Sequence, residues 1–96
     1  MSKGYWIAFY RSVSDEAALK TYAGMATPVL TAAGAKFLAR GVAAKAYESG
    51  VAQRTVVVEF ESVATAIRTY ESPEYQAALA VIKGKVDRDL RIVEGA

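Results

Sequence analysis

Two charged side chains, Arg40 and Glu59, interrupt apolar segments that read as neighbouring strands. An arginine binds carboxylate or phosphate oxygens in a bidentate manner, and a carboxylate can orient such a group or act as a base. Arg40 shares the strand parity of Leu38, a core-type residue, and an unpaired charge on an apolar sheet face is costly. We therefore expect Arg40 and Glu59 to lie opposite each other, provided that their strands form a hairpin turning near residues 47–50.

Two interpretations of this pair stay open. In the functional one, Arg40 binds an anionic group of a small molecule, and Glu59 orients that group or acts as a base. In the structural one, the two residues form an ion pair at the edge of a dimer interface, because structural networks also place charges in apolar surroundings. Neither interpretation identifies a substrate, and the sequence contains no complete catalytic motif.

Aromatic side chains are the next candidates, because ligand sites are mostly apolar with a few polar groups. Trp6, on one face of the first strand, and Tyr22, on the first helix, are the preferred pocket residues. A tyrosine hydroxyl can donate a proton or stabilise an enolate. Most buried aromatic residues, however, only pack a core and direct their hydroxyl toward its rim.

The last candidate lies in Asp87-Arg88-Asp89, just before or within the final predicted strand. Paired carboxylates can perform acid–base chemistry or bind a hard cation. Two acids separated by an arginine at the entrance of a strand more often form surface ion pairs. Asp89 remains a candidate because it reaches Arg40 if the last strand begins near the mouth of the pocket.

The composition excludes several classes of site. The 96 residues include no Cys and no His. Disulfides, thiolate nucleophiles and thiolate metal sites therefore cannot form within this chain, and neither can histidine-ligated haem, zinc–histidine sites or Ser-His-Asp catalysis. We expect no metal and no cofactor.

Charge and hydropathy bear on the partners. The net charge of +2 comes from interspersed signs without a basic block, so we expect no nucleic-acid partner. An RNA-recognition module shares the predicted element order, but the third strand, QRTVVVEFE, lacks the exposed aromatic residues that stack on bases. No apolar run approaches the roughly 20 residues of a membrane span, and no signal peptide is evident. We expect no membrane partner and a cytoplasmic location.

Turn and cap residues divide the chain into seven segments. Ser14 is the predicted cap of a first helix that Pro28 should kink or divide and Gly34 should end. Residues 42–50 extend a strand or form a loop. The predicted elements are a strand over residues 4–11, the first helix, a strand at Ala35–Gly41, a strand at Gln53–Glu61, a helix from Ser62, a helix restarted at Ser72-Pro73-Glu74 and ended by Gly84, and a strand at Asp87–Glu94. This is the β-α-β-β-α-β order of a ferredoxin-like α+β domain, with a four-stranded antiparallel sheet, spanning residues 1–96.

Two of these strands, Tyr5–Tyr10 and Thr55–Phe60, are apolar on both parities. Successive strand side chains point to opposite faces of a sheet, and one layer of helices covers a single face. The chain is too short to cover both faces, so we expect the second to pack against another copy in a homodimer.

Several motifs run in order through nearly the whole chain: GYWIA at the start, FLARG at Phe37–Gly41, VVVEF at Val56–Phe60, SPEYQAAL at Ser72–Leu79 and RIVEG at Arg91–Gly95. With them the chain resembles the family called domain of unknown function 1330. The resemblance implies a dimeric α+β barrel, in which two ferredoxin-like sheets pack face to face. It implies no established activity, although the wider superfamily includes cofactor-free monooxygenases, small isomerases and haem-degrading enzymes.

The leading hypothesis is a small-molecule-binding homodimer with a site between sheet and helices in each protomer. As an enzyme it would be cofactor-free, of the proton-transfer, isomerase or monooxygenase type, and would act on a small anionic or carbonyl compound. The alternative is a non-catalytic binding or accessory dimer in which Arg40 and Glu59 form a structural ion pair.

Overall fold

The computed structural model describes residues 2–96, which form an antiparallel sheet with its helices packed on one face. The sheet order is β2-β3-β1-β4. The second helical segment is broken in two, as predicted from Ser72-Pro73-Glu74, so that the ferredoxin-like order is confirmed. The elements are β1 Gly4–Val13, α1 Glu16–Ala32, β2 Lys36–Val42, β3 Arg54–Phe60, α2 Val63–Tyr70, α3 Pro73–Ile82 and β4 Val86–Glu94.

Side-chain caps begin all three helices. Ser62 and Ser72 accept hydrogen bonds from backbone N–H groups three residues further on, at 3.1 and 3.2 Å, as predicted. The predicted cap of α1 is wrong, because Asp15 rather than Ser14 performs this role. The Ser14 hydroxyl instead donates to the Lys85 carbonyl at 2.9 Å, so Ser14 is held beside the start of β4.

Helix α1 continues through Pro28, so of the two predicted outcomes, a kink or a division, the division is wrong. A proline inside a helix removes one backbone hydrogen bond. Here a buried stripe continues on both sides of Pro28, and its packing outweighs that loss. Gly34, with a φ of 83°, follows the helix end as predicted. The stripe consists of Leu19, Tyr22, Ala26 and Leu30.

Strand β2 contains a β-bulge. Its pairing with β3 shifts from Phe37 opposite Val58 to Ala39 opposite Val57, which leaves Leu38 as the extra residue. Because of the bulge, every later residue of this strand points to the face opposite to the one that simple alternation predicts. Of the ambiguous segment 42–50, only Val42 extends the strand, and the rest belongs to the loop before β3.

The two faces of the sheet differ in burial. On the face toward the helices, Trp6 and Phe60 are at most 2% exposed, and the Trp6 ring lies 5.0 Å from the Tyr75 ring between centroids. The opposite face, here called the open face, carries Tyr5, Ile7, Phe9, Val57, Glu59, Asp89, Arg91 and Val93, with Phe9 40% and Val93 47% exposed. The helices thus cover one face of the two-sided strands and leave the other uncovered within the protomer. Among residues 2–96, no helix combines the length and apolar character needed to cross a membrane.

Candidate functional site

A cleft between α1 and the covered face of the sheet encloses about 40 Å³. This volume holds a few water molecules. Trp6 and Tyr22, the two predicted pocket residues, both line it. Among residues 2–96, no carboxylate contributes to the lining. The polar residues that do are Tyr10, Tyr22, Thr27, Arg40, Arg54 and Arg88.

Arg40 lies on the cleft side of β2, opposite Val56. Its guanidinium carbon is 4.5 Å from the centroid of the Phe37 ring, a cation–π distance. Within residues 2–96 the guanidinium forms no ion pair. Arg40 is therefore positioned by the bulge and by an aromatic face, and its charge is free to meet a ligand.

Glu59 lies on the open face, so the predicted partnership of Arg40 and Glu59 is wrong. Without the bulge at Leu38, Arg40 would face the same side as Glu59; the bulge turns it to the other side. The residue opposite Glu59 on β2 is Lys36, and the Glu59 carboxylate accepts a hydrogen bond from the Tyr5 hydroxyl at 3.0 Å. That hydrogen bond, with a smaller effect of burial, raises the pKa of Tyr5.

Asp89 also lies on the open face, and the expectation that it reaches Arg40 is wrong. It accepts hydrogen bonds from Arg91, the shorter at 2.9 Å, and lies 3.5 Å from the Arg11 guanidinium. The hydrogen bonds from Arg91 lower the pKa of Asp89 despite partial desolvation. Asp87 is 3.4 Å from Arg11, so the alternative interpretation of these acids as surface ion pairs is confirmed.

Arg88 is the site residue that sequence reasoning missed. Its guanidinium donates to the Tyr22 hydroxyl at 3.1 Å, the Tyr75 hydroxyl at 3.0 Å and the Tyr10 hydroxyl at 3.4 Å. The available signal was strand parity, since Arg88 alternates in phase with the apolar residues Leu90 and Ile92. The same reasoning that singled out Arg40 therefore applied to Arg88.

The protonation states around Arg88 follow from burial and charge. Burial raises the pKa of Tyr75, and its neighbour Tyr22 raises it further, against the opposing effect of Arg88. The Tyr75 hydroxyl is therefore neutral at neutral pH. Burial alone would lower the pKa of Arg88, but the oxygens of Tyr22 and Tyr75 raise it above its ordinary value. The guanidinium remains charged and has no carboxylate partner within residues 2–96.

The register places the arginines of the cleft close together. Arg88 pairs with Tyr10 across β1 and β4. Phe9 of β1 pairs with Thr55 of β3, and the two strands are antiparallel, so Arg54 is the residue next to Tyr10 on β3. Tyr10 thus lies between Arg54 and Arg88. Neighbouring strands are about 4.8 Å apart, so the backbones of Arg88 and Arg54 are about 10 Å apart. Arg40 is the diagonal neighbour of Arg54, at about 7 Å.

Fold and site together define a class: a ferredoxin-like α+β domain with a cationic, aromatic cleft between its sheet and first helix. The model of DUF1330, a domain of unknown function, matches residues 3–96. The chain belongs to this family, as the resemblance of its motifs predicted. No curated protein sequence matches the chain.

Solved structures share the fold at low sequence identity. A protein of unknown function from Rhodopseudomonas palustris is 17% identical with a TM-score of 0.75, over 99% of this chain and 83% of that one. A dimeric ferredoxin-like protein of unknown function from Bacteroides fragilis is 14% identical with a TM-score of 0.59, over 97% and 95%. SnoaB, a cofactor-independent oxygenase from Streptomyces nogalater, is 5% identical with a TM-score of 0.64, over 100% and 95%.

Proposed function

We propose that the cleft between α1 and the sheet binds a small carboxylate with a compact apolar body. The observation that carries this proposal is the lining of the cleft, where three arginines occur without a carboxylate among residues 2–96. Guanidinium groups gathered on one apolar face repel one another and lose hydration. A bound anion removes both penalties, and an arginine binds a carboxylate with two parallel hydrogen bonds.

The positions of the arginines suggest how the ligand lies. Arg40 is exposed and Arg54 is partly exposed, so both are accessible at the mouth of the cleft. Trp6, Val56 and Val58 form apolar walls further in. The ligand's carboxylate thus binds at the mouth, and its apolar part points inward. Because the enclosed space is small, larger ligands extend outward past Arg40.

Benzoate is a suitable probe, with benzylamine as its cationic counterpart. Isothermal titration should show benzoate binding that weakens with salt, and no binding of benzylamine. The double variant Arg40→Met/Arg54→Met should bind benzoate at least about tenfold more weakly, a loss of about 1.4 kcal/mol. Arg68→Met is the matched control, because Arg68 is exposed on α2 and does not line the cleft. Equal benzoate affinity in all three proteins would refute the proposal.

A second candidate function is cofactor-free proton transfer from an acidic C–H bond of the ligand to a solvent water molecule in the cleft. It is favoured by the tyrosine hydroxyls beside Arg88, which can stabilise an enolate oxygen by hydrogen bonding. The structural similarity to a cofactor-independent oxygenase is compatible with such chemistry. Phenylpyruvate tests it, because this compound has a carboxylate, a ketone and acidic C–H bonds. Proton NMR in D₂O should show faster exchange of those protons with the protein than with Arg88→Gln, and equal rates would count against catalysis.

We further propose that the protein forms a homodimer through the open face. Ile7, Val57 and Phe9 leave apolar surface uncovered in the protomer, and one of the structurally similar proteins is described as dimeric. Light scattering should give twice the protomer mass. Ile7→Asp should give monomers, whereas the matched change Ile67→Asp, at a 42% exposed position on α2, should leave the dimer intact. A monomeric parent protein would refute this proposal.

A further inference from the structure

Two of the hydroxyl protons around Arg88 have no hydrogen-bond acceptor within residues 2–96. Tyr10, Tyr22 and Tyr75 carry three hydroxyl protons, and each oxygen already accepts a hydrogen bond from Arg88. One proton is used between Tyr22 and Tyr75. Within residues 2–96 the other two protons have no protein acceptor. A polar group without its partner in a buried place is costly, so this cluster requires an acceptor from outside the protein.

The position of each hydroxyl indicates where that acceptor binds. Tyr10, Tyr22 and Arg88 line the cleft, whereas Tyr75 is fully buried beside them and does not. If Tyr75 donates to Tyr22, the two hydroxyl protons without an acceptor are those of Tyr10 and Tyr22. Both of these hydroxyls can then donate into the cleft. In that arrangement Tyr75 is a positioning residue, because its hydrogen bond to Tyr22 sets the direction in which Tyr22 donates.

The charges facing Arg88 are positive or neutral on every element packed around it. Tyr10 lies on β1, Tyr22 on α1 and Tyr75 on α3, and all three are hydroxyl donors. Arg54 and Arg40 face the same cleft from β3 and β2. Lys83, at the end of α3, shares with Arg88 the groove on the other side of that helix. No described carboxylate lines either the cleft or this groove, so a ligand oxyanion would be the first negative charge to face Arg88.

We propose that the inner end of the cleft, formed by Arg88 with the Tyr10 and Tyr22 hydroxyls, is an oxyanion site that binds phenols or enols in their deprotonated form. The inference rests on the proposed carboxylate-binding function and extends it to the other end of the ligand. Binding breaks the ligand's O–H bond, releases that proton to solvent and leaves the oxygen as an anion. Tyr75 itself keeps its proton, in agreement with its raised pKa.

The two ends of the cleft together specify a ligand class. Arg40 and Arg54 at the mouth favour a carboxylate, and the inner end favours a phenolate or enolate oxygen. Compact hydroxyaromatic acids and enolisable keto acids carry both groups, joined by an apolar segment that can cross Tyr10, which lies between Arg54 and Arg88 in the sheet. Amines and ammonium compounds are excluded, because they add donors to a site that already lacks acceptors.

The test uses 4-nitrophenol, whose phenolate absorbs visible light and which has no carboxylate. Its absorbance is titrated against pH with the protein in excess and again without it. We expect the pKa of the bound probe to fall by about one unit or more, equivalent to about tenfold tighter binding of the phenolate than of the phenol. Arg88→Gln should abolish most of this shift. Arg91→Gln, a change on the open face of the same strand, should retain it.

Further variants separate the possible outcomes. If Arg88→Gln does not fold, Tyr22→Phe tests the same site, and we expect it to reduce the shift; Tyr75→Phe should reduce it less. An unchanged probe pKa in a protein that binds benzoate overturns the oxyanion site and leaves the proposed function standing. A full shift in both Arg88→Gln and Tyr22→Phe also overturns it, because the arginines at the mouth are then sufficient. If the protein binds neither 4-nitrophenol nor benzoate, both proposals are overturned.

Discussion

Two arginines of β4 lie three residues apart and face opposite sides of the sheet. Arg91, on the open face, is hydrogen-bonded to the Asp89 carboxylate at 2.9 Å. Arg88, on the helix side, donates to three tyrosine hydroxyls and has no carboxylate partner among the described residues. The exposed charge is compensated within the protein, and the more buried one is not. Because burial makes a lone charge more costly, the arrangement around Arg88 is unfavourable for stability alone and is typical of a binding site.

The same contrast holds for apolar side chains. In β1, alternate residues are either sealed under the helices, as Trp6 is at 2% exposure, or left accessible, as Phe9 is at 40%. One strand thus provides a core to one face and an association surface to the other. Substitutions matched between the two faces test this division.

The loss of unfolding free energy should differ most between Trp6→Ala and Phe9→Ala. Trp6 contacts the rings of Phe60, Tyr70 and Tyr75 in the core, so its truncation leaves a large cavity and should cost about 3–5 kcal/mol of unfolding free energy. That loss is a large part of the free energy of unfolding of a small domain, which is about 5–15 kcal/mol. Phe9→Ala should cost less than about 1 kcal/mol in the protomer, because Phe9 is already accessible to water. Urea denaturation measures both values in the monomeric Ile7→Asp background, because the proposed dimer would cover Phe9. Similar costs would show that the open face is as tightly packed as the core.

Gly4→Ala and Gly41→Ala compare the space available beside a glycine on the helix side with that beside a glycine on the open face. A Cβ atom at Gly4, on the helix side, would lie 2.6 Å from the backbone of Ser62, whereas at Gly41, on the open face, nothing lies within 4 Å. Gly4→Ala forces β1 away from the start of α2 and should destabilise the protein by about 1–3 kcal/mol. Gly41→Ala should change stability by less than about 0.5 kcal/mol. Thermal melts at one protein concentration distinguish the two, and a neutral Gly4→Ala would contradict this close approach.

Most of the fold could be predicted from residue patterns, but the partner of Arg40 could not. The caps at Ser62 and Ser72 and the alternation in β1 are local signals, so they identify their elements correctly. The bulge at Leu38 has no such signal, because it arises where the register of β2 must match β3 across a long loop. One extra residue moved Arg40 to the other face and separated it from Glu59. Arg88, by contrast, followed ordinary alternation and could have been found.

Tyr75→Phe and Tyr5→Phe each remove one hydroxyl, one from each side of the sheet. The Tyr75 hydroxyl is buried and bonded to Arg88 and Tyr22, so its loss should cost about 1–3 kcal/mol while the ring packing is kept. The Tyr5 hydroxyl donates only to the partly exposed Glu59, and its loss should cost less than about 0.5 kcal/mol in the protomer. Urea denaturation at two protein concentrations is the measurement. A cost for Tyr5→Phe that increases with protein concentration would place the Tyr5–Glu59 hydrogen bond within the dimer interface.

The smallest expected effect is a pH dependence confined to the open face. The hydrogen bonds from Arg91 lower the pKa of Asp89 in the folded protein below its ordinary value of 3.8. A carboxylate with a lowered folded pKa adds stability above its unfolded pKa and loses it as the pH falls through the folded value. Asp89→Asn should therefore lower the melting temperature slightly at neutral pH, by about 1–2 °C. This difference should vanish once the pH lies below the folded pKa of Asp89. Among residues 2–96 no carboxylate pairs with Arg88, so the difference between the parent protein and Tyr75→Phe should stay constant over the same range. A difference for Tyr75→Phe that also disappears in acid would show that a carboxylate supports Arg88 and would remove the contrast between the two arginines.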